Sequence, residues 1–410
     1  MRKKPELLAP AGSLNKLKIA LLYGADAVYV GGEEFSLRVA AENFSPADMA
    51  EGVKIAHSMG KRVYLTANII PHNEDIAEYE DFLREYVKTG VDAVILSDLG
   101  MFEITRETAP ELEIHISTQA NNVNWKSAEA WHKMGAARVI LAREMSLGEI
   151  EEIRRRTPPG LELEAFVHGA MCISYSGRCL LSNYMTARDS NLGACSHPCR
   201  WKYHLMEETR QGEYMPVFEN DRGTFIYNSK DLCMIEHIPE LVGCGLDSLK
   251  IEGRVKSEYY LATVIKAYRE AIDSYFADPE NYRFDPVWAE ELRKVSHRDY
   301  TTGFYFGKPG GTEQNYATSS YIREYELLGI VEGYDEKTGM LSVIQKNRFF
   351  KDSEVEFLRP HGKFVKLRIE YMEDTDGCEL EIANRPQSIV RIRCGEPLER
   401  GCMMRAPREK

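Results

Sequence analysis

The sequence lacks any run of about 18 or more apolar residues, the length that a membrane-spanning helix requires. Its opening residues, MRKKPELLAPAGS, include basic side chains but not the apolar stretch of about 7–15 residues found in a secretory signal. We therefore expect a cytoplasmic protein with no membrane partner. The nine cysteines, an odd number, are not expected to form a disulfide framework in a reducing cytosol, so clustered cysteines favour metal binding or redox chemistry.

An excess of positive charge is also absent. The chain has 64 acidic and 52 basic residues, which gives a formal net charge of −12. As a whole it does not attract nucleic acid, although a local basic patch could still do so. Its length of 410 residues and its hydrophobic fraction of 43% are sufficient for two or three domains, each with a buried core.

A short phrase recurs in the first part of the chain, where a glycine precedes a buried, β-branched run. The phrase begins at Gly24, Gly90, Gly135 and Gly245. We interpret each glycine as the left-handed end of a helix and the run after it as a strand buried on both faces. Helix start signals lie between the strands, such as Ser45-Pro46 and the capping box Ser146–Glu149. The repeated unit is therefore strand, helix, strand.

Eight strands are predicted in this way, which indicates an α/β fold of the (β/α)₈ TIM-like barrel type. They span 5–10, 25–31, 62–68, 91–97, 111–117, 136–142, 161–167 and 246–252. The eighth strand is delayed by a cysteine-rich insertion at about 168–232, followed by a helix predicted from Asp231 to Val242. The barrel is expected at 1–277, a connecting region at 278–320 and a small antiparallel β-barrel domain at 321–410.

The insertion carries four of the nine cysteines within 28 positions, between Glu164 and Trp201. They are Cys172, Cys179, Cys195 and Cys199, and Cys233 follows them in the chain. Four thiolates from these five could hold zinc or an iron–sulfur cluster, and spacing alone does not choose between the metals. Buried thiols that only pack are the alternative. We expect packing alone for Cys244, Cys378, Cys394 and Cys402.

Polar and charged residues lie at the predicted strand ends, where the active face of such a barrel is formed. They are Gln119, Arg143, Glu144, His168, Lys250, Glu252 and Arg254. We expect His168 to point toward the mouth of the barrel and the arginines to hold an anionic small molecule, unless they form rim ion pairs. Lys250 and Glu252 either form a structural ion pair or address a ligand.

Cations and flat rings are mixed around the cysteines, as in RNA-binding surfaces. The residues are Tyr175, Arg178, Tyr184, Arg188, Arg200, Trp201, Lys202 and Tyr203. A second basic candidate is the turn that contains Lys346, Arg348 and Lys351, although a solvated turn explains that segment equally. His197 is as well explained by a solvated loop as by a function.

The segment from Glu164 to Ser182, E-x-F-x-H-G-x-M-C-x-S-Y-S-G-R-C-x-L-S, closely resembles the signature of the collagenase-like peptidases of family U32. ELLAPAGS at 6–13, STQANNVN at 117–124, LAREMSL at 141–147 and KIEGRVKS at 250–257 extend the resemblance over nearly the whole chain. Within the family, the length and the β-rich end look most similar to the prephenate-dependent tRNA 5-hydroxyuridine modification proteins. Other branches hydroxylate ribosomal RNA or quinone precursors.

The resemblance implies a four-cysteine iron–sulfur (4Fe-4S) cluster on Cys172, Cys179, Cys195 and Cys233, with Cys199 as an alternative ligand. It also implies tRNA as substrate and prephenate as co-substrate, and it allows a homologous partner chain. We assign catalytic roles to His168 and Glu252, and substrate binding to Gln119, Arg143, Lys250 and Arg254. The alternative functions are peptidase activity and the hydroxylation of ribosomal RNA or quinone precursors by the related branches. For a peptidase, the sequence contains neither an HExxH helix nor a GxSxG elbow. A third hypothesis is a zinc-stabilised module that binds RNA or protein and is not an enzyme.

Overall fold

The computed structural model describes residues 3–37, 43–172, 179–188, 190–201, 219–220, 223–224, 230–307 and 321–408. Eight parallel strands form a closed barrel, because the last of them pairs with both the first and the seventh. In chain order the strands up to this point are β1 (Glu6–Pro10), β2 (Ala27–Gly31), β3 (Arg62–Thr66), β4 (Ala93–Leu96), β5 (Glu113–Ile116), β6 (Arg138–Ile140), β7 (Glu162–Ala170), β8 (Glu219–Asn220), β9 (Gly223–Thr224), β10 (Asp231–Cys233) and β11 (Ser248–Ile251). The barrel consists of β1–β7 and β11, which confirms the eight predicted strands and the fold class.

Helices alternate with these strands. They are α1 (Leu14–Leu22), α2 (Pro46–Ser58), α3 (Asn73–Val87), α4 (Leu99–Thr108), α5 (Trp125–Met134), α6 (Leu147–Arg156), α7 (Leu181–Thr186), α8 (Ile238–Gly243), α9 (Glu258–Ala277) and α10 (Pro286–Arg293). The four recurring glycines have φ angles of 87–113°, as predicted for left-handed helix ends. Ser45 and Ser146 cap α2 and α6. None of the described helices has both the length and the apolar character needed to cross a bilayer.

The segment predicted as a helix from Asp231 begins instead as a strand. β10 pairs antiparallel with the end of β7, and a single 3₁₀ turn at Ile235–His237 precedes α8. The helix prediction was therefore wrong for the first residues of this segment. Beyond His168, β7 no longer pairs with β11, and β10 satisfies the backbone groups that this divergence leaves open. Pro239 lies at the start of α8, where its missing N–H costs no helical hydrogen bond.

After α10 the chain adds one strand to the sheet that contains the barrel, and it then forms a second sheet. β12 (Tyr300–Thr301) pairs with β10. The strands that follow are β13 (Tyr325–Asp335), β14 (Met340–Gln345), β15 (Phe349–Phe350), β16 (Glu354–Leu358), β17 (Val365–Arg368), β18 (Met372–Glu373), β19 (Ile382–Ala383), β20 (Ile389–Arg393) and β21 (Met403–Pro407). Seven of them form an antiparallel sheet in the order β17-β16-β21-β13-β14-β20-β18, and β15 pairs with β19. The predicted antiparallel β domain is confirmed, and its described strands form half a barrel.

Buried polar contacts join this half-barrel to the first barrel. The hydroxyl of Tyr23, at the end of α1, donates toward the carbonyl oxygens of Leu358 and Gly401 at 2.9 and 3.0 Å. The fully buried Arg405 forms ion pairs with Glu291 of α10 and Glu356 of β16. A buried arginine between two carboxylates requires their geometry to be maintained, so the two parts of the chain are held in one arrangement.

Candidate active site

One pocket opens at the carboxyl ends of the barrel strands. Its wall contains five of the residues assigned to the site from the sequence, namely Gln119, Arg143, Lys250, Glu252 and Arg254. Tyr29, Leu37, Thr66, Asn68, Ile95, Ser117, Thr118 and Phe166 complete the lining. Because parallel strands end at one face of the barrel, residues more than 130 positions apart in the chain converge there.

Lys250 contributes a positive charge to this pocket, and a buried carboxylate compensates that charge. Its Nζ donates to Oε1 of Glu164 at 2.9 Å, and both side chains are almost completely buried. The ion pair considered from the sequence, with Glu252, is therefore replaced by one with Glu164 on the neighbouring strand. Burial lowers the pKa of Lys250, and Glu164 partly offsets that effect. The ammonium also faces the ring of Tyr29 at 4.4 Å.

Beneath this ion pair lies a second buried cation, Arg138. Its guanidinium binds Glu6, Glu162 and Glu164 at 2.6–2.8 Å. Burial alone would raise the pKa of Glu164, but Lys250 and Arg138 together hold it at about 2. Our sequence reasoning gave no role to Glu164 or Arg138. The signal that could have revealed them is the pair of charges at Glu162 and Glu164, two apart in a buried strand and hence on one face.

Arg254 enters the pocket from the opposite side of the barrel mouth. It is buried, and its Nη1 donates to the hydroxyls of Ser36 and Thr66. Gly31 makes room for it, since a Cβ at that position would lie 2.5 Å from Nη1. These two hydroxyl partners fix the position of the guanidinium at the wall of the pocket.

Arg143 connects the pocket with the cysteine segment. Its Nη1 donates to the carbonyl oxygen of Ala170 at 2.7 Å, its guanidinium lies over the ring of Phe166, and its Nη2 is 3.7 Å from Sγ of Cys172. Gln119 lies on the adjacent wall. Within the described part of the chain, its buried Oε1 has no hydrogen-bond partner. A ligand N–H or a water molecule could fill this position.

His168 does not line the pocket, and the expectation that it points toward the mouth is wrong. The pairing of β7 with β11 shifts after Lys250, so that Val167 has no counterpart. This bulge reverses the side-chain alternation. The imidazole lies outside the barrel wall, with ring centroids 5.6 Å from Tyr268 and 6.0 Å from Tyr260 of α9. Burial lowers its pKa to about 3, so the ring is neutral.

The candidate metal ligands are spread over several segments. Cys172 is exposed beside Arg143, and Cys179, Cys195 and Cys199 are half-buried. Cys233 pairs with His168 in the β7–β10 ladder, and burial raises its pKa to about 12. Sγ of Cys195 lies 3.9 Å from Nδ1 of His197, a thiol–imidazole pair that we did not identify from the sequence.

These positions can be tested against an iron–sulfur cluster. Among the described residues, no group of three or more His, Cys, Asp or Glu side chains is arranged to hold a metal ion. Desolvation raises the pKa of the half-buried Cys233 thiol, so a metal that binds there has to displace its proton. The described arrangement does not fit a preformed cluster, and we derive no chemical step through one. Tyr175, Arg178, Lys202 and Tyr203, named above as candidates for RNA contacts, lie outside the described residues.

Comparison with known proteins places the chain in a family. The model of peptidase family U32 matches residues 12–315, and that of its C-terminal domain matches residues 323–405. The chain is 45% identical to tRNA hydroxylation protein P1 of Bacillus subtilis, covering 98% of this chain and 95% of that protein. It is 40% identical to tRNA hydroxylation protein P of Escherichia coli, with coverages of 93% and 91%. An uncharacterized protease of Methanocaldococcus jannaschii is 46% identical, with coverages of 93% and 90%. This chain therefore belongs to peptidase family U32.

Proposed function

We propose that this protein is a tRNA-modifying enzyme that converts the wobble uridine to 5-hydroxyuridine, with prephenate as co-substrate. The observation that supports the proposal most is the pocket at the barrel mouth, where Arg143, Lys250 and Arg254 surround one space. Prephenate carries two carboxylates, and guanidinium groups suit planar, bidentate binding of such groups. The similarity to two tRNA hydroxylation proteins supports an RNA substrate.

The residues of the pocket suggest a division of roles. Arg254, fixed by Ser36 and Thr66, binds one carboxylate, and Arg143 binds the second near the cysteine segment. Replacing C5–H by C5–OH is a two-electron oxidation, so it requires an oxygen donor and an electron acceptor as well as a base that accepts the C5 proton. Glu252 is the only carboxylate among the described residues that line the pocket, which makes it our candidate for that base. An anticodon base is already single-stranded, so little pairing energy is lost on entry.

An iron–sulfur cluster on Cys172, Cys179, Cys195 and Cys233, with Cys199 as the alternative ligand, remains part of this proposal. When bound, it would supply electron-transfer chemistry next to the pocket. Metal sites often form together with the local fold, so the thiols need not converge before the metal binds. Zinc is the alternative metal, and a homologous partner chain is a further possibility for the active form.

Mass spectrometry of tRNA nucleosides tests the function. We expect a strain lacking all its U32 proteins to lose 5-hydroxyuridine, and expression of this chain to restore it. A Glu252→Gln variant should not restore it, whereas Glu80→Gln, on the exposed face of α3, should. If the wild-type chain leaves the nucleoside profile unchanged, tRNA uridine is not its substrate.

One observation favours a second candidate, thiol peptidase activity. Cys195 and His197 are close enough for the imidazole to activate the thiol, and a family relative bears a protease name. Incubation with denatured collagen should then yield fragments, and Cys195→Ser should abolish them while His72→Asn does not. Intact collagen after incubation with the wild-type protein would dismiss this candidate.

A further inference from the structure

The hairpin between β16 and β17 is locally basic in an acidic chain. Four of the ten residues from Arg359 to Arg368 are Lys or Arg, and none is Asp or Glu. Among the strands that the structure describes, β17 is an edge strand of the half-barrel and pairs with β16 alone. We call the segment 359–368 the basic hairpin. An edge strand rich in cations avoids pairing with other strands, but it also presents a row of charges to a partner.

Side-chain alternation in β17 separates the packing face from the charged face. Val365 and Leu367 pack against the core of the half-barrel, whereas Phe364, Lys366 and Arg368 point outward. Phe364 is 36% exposed and has the ammonium groups of Lys294 and Lys366 near its ring, at 5.1 and 5.9 Å. A partly exposed ring with two cations near it resembles the mixture that binds RNA by stacking and phosphate contact.

The cations of the outer face are only weakly engaged within the protein. Lys366 is 72% exposed and lies 3.8 Å from Glu356, a carboxylate that Arg405 and Lys294 already bind more closely. Arg368 pairs with Asp352, and both side chains are more than 60% exposed. Within the described part of the chain, Lys363 forms no ion pair. Such surface pairs contribute little free energy, so a phosphate can replace their carboxylates.

The basic hairpin is also fixed relative to the barrel mouth. Lys266 of α9 donates to the carbonyl oxygen of Gly362, at the tip of the hairpin, at 2.9 Å. α9 begins at Glu258, directly after the pocket residues Glu252 and Arg254. Lys266 lies eight residues further, or about 12 Å along the helix axis. The hairpin is therefore within reach of an RNA stem whose loop enters the pocket.

We infer that the basic hairpin binds the phosphate backbone of tRNA, with Lys363, Lys366 and Arg368 as phosphate contacts and Phe364 as an adjoining flat surface. This inference rests on the proposed function and adds to it the surface that holds the RNA body. Charge identifies RNA as the partner of this surface, because a polyanion complements the basic hairpin whereas the rest of the chain is acidic. The turn with Lys346, Arg348 and Lys351 is a weaker candidate, because Glu379 and Glu381 both bind Lys351.

Binding of tRNA from the deletion strain to the full-length protein, measured as a function of salt, tests the inference. Lys363→Glu/Lys366→Glu should weaken binding by about tenfold or more and reduce the slope of log K against log salt by about 2. The charge-matched control, Lys346→Glu/Arg348→Glu, should stay within about twofold of the wild type. Turnover at saturating tRNA should not change in either variant, because neither pair touches the pocket.

Equal losses in both double variants, or a loss in neither, would overturn the inference. Circular dichroism and thermal unfolding confirm that each variant is folded, and the exposed positions make this the expected result. The nucleoside profile separates the two proposals. If the wild-type chain restores 5-hydroxyuridine and the hairpin variant binds tRNA with wild-type affinity, only the hairpin inference fails. If the wild type neither binds tRNA nor restores the nucleoside, both fail.

Discussion

The barrel mouth and the cysteine segment differ in how well their chemistry is positioned. At the mouth, Arg254 and Lys250 are buried and each is held by named partners on other strands. In the segment after β7, Cys172 is exposed, and no described group of potential ligands converges. Strand ends are positioned by the hydrogen-bonded barrel, whereas a long loop depends on its own contacts or on a bound metal. The pocket is thus preformed, whereas the proposed metal site is not preformed among the residues that the structure describes.

The largest expected effect concerns the cysteine segment. In anaerobically purified protein, Cys172→Ser, Cys179→Ser, Cys195→Ser and Cys233→Ser should each abolish iron binding, because a cluster needs all four thiolates. Cys199→Ser and the buried control Cys402→Ser should keep it. Iron analysis with optical spectra measures the outcome. Loss of iron in Cys199→Ser but not in Cys233→Ser would show that Cys199, and not Cys233, is the fourth ligand. Stoichiometric zinc without iron would exclude the cluster.

A large effect on stability is expected at the base of the pocket. Glu164→Leu leaves Lys250 and part of Arg138 buried without compensation, which should reduce the free energy of unfolding by about 3–5 kcal/mol. Denaturant unfolding measures it. The double variant Glu164→Leu/Lys250→Leu should recover much of the loss, and the surface control Glu80→Gln should stay within about 0.5 kcal/mol. Equal stability of the single variant and the wild type would contradict the buried ion pair.

The same ion pair predicts a pH dependence. The pKa of Glu164 is about 2 in the folded protein, below its usual 4.5, so its contribution to stability is present above pH 4.5 and is lost as the pH falls toward 2. Between these pH values the free energy of unfolding should fall more steeply with decreasing pH for the wild type than for Glu164→Leu/Lys250→Leu. The difference in slope should correspond to about one additional proton that the wild type takes up on unfolding. Parallel pH profiles for the two proteins would show that the pKa of Glu164 does not change on folding, which contradicts the buried ion pair.

A smaller effect is expected from Arg254→Lys, which keeps the charge but loses the planar fork. The value of kcat/KM for hydroxylation should fall by about 10- to 100-fold, the range for a hydrogen bond to a charged group. The control variant Arg84→Lys carries the same substitution on α3, away from the pocket, and its kcat/KM should equal that of the wild type. A wild-type rate in Arg254→Lys would remove this arginine from the site.

The smallest effect is expected at Gly31. An added Cβ in Gly31→Ala would displace Nη1 of Arg254, and a shifted side-chain rotamer costs about 0.5–1.5 kcal/mol. The KM for prephenate should rise by about 2- to 10-fold while the fold is kept. Gly148→Ala is the matched control, since a Cβ there meets nothing within 4 Å. Identical KM values in both variants would show that Arg254 can move without consequence.

The fold and the residues around the pocket could be predicted because they follow from local patterns. Glycine-terminated helices and buried runs identify the parallel strands, and residues after such strands share one face of the barrel. Gln119, Arg143, Lys250, Glu252 and Arg254 all line the pocket for that reason. Their catalytic and binding roles remain predictions that the experiments above address.

The remaining features depend on tertiary contacts that the sequence does not display. In the sequence, Val167 cannot be distinguished from an ordinary strand residue. In the structure, a β-bulge at Val167 turns His168 away from the mouth of the barrel. Lys250 and Glu164 are 86 positions apart and meet only because the barrel closes. Cys233 looked like the start of a helix, but pairing with the open end of β7 makes it a strand. In each case long-range pairing overrides the local pattern.

Prephenate binding to the purified protein tests the central claim most directly, because that claim makes the barrel mouth the site of an anionic co-substrate. By calorimetric titration, we expect the wild type to bind prephenate, Arg254→Gln to bind it at least about tenfold more weakly, and Arg84→Gln to match the wild type. Equal affinity of the wild type and Arg254→Gln, or no binding by the wild type, would contradict the claim.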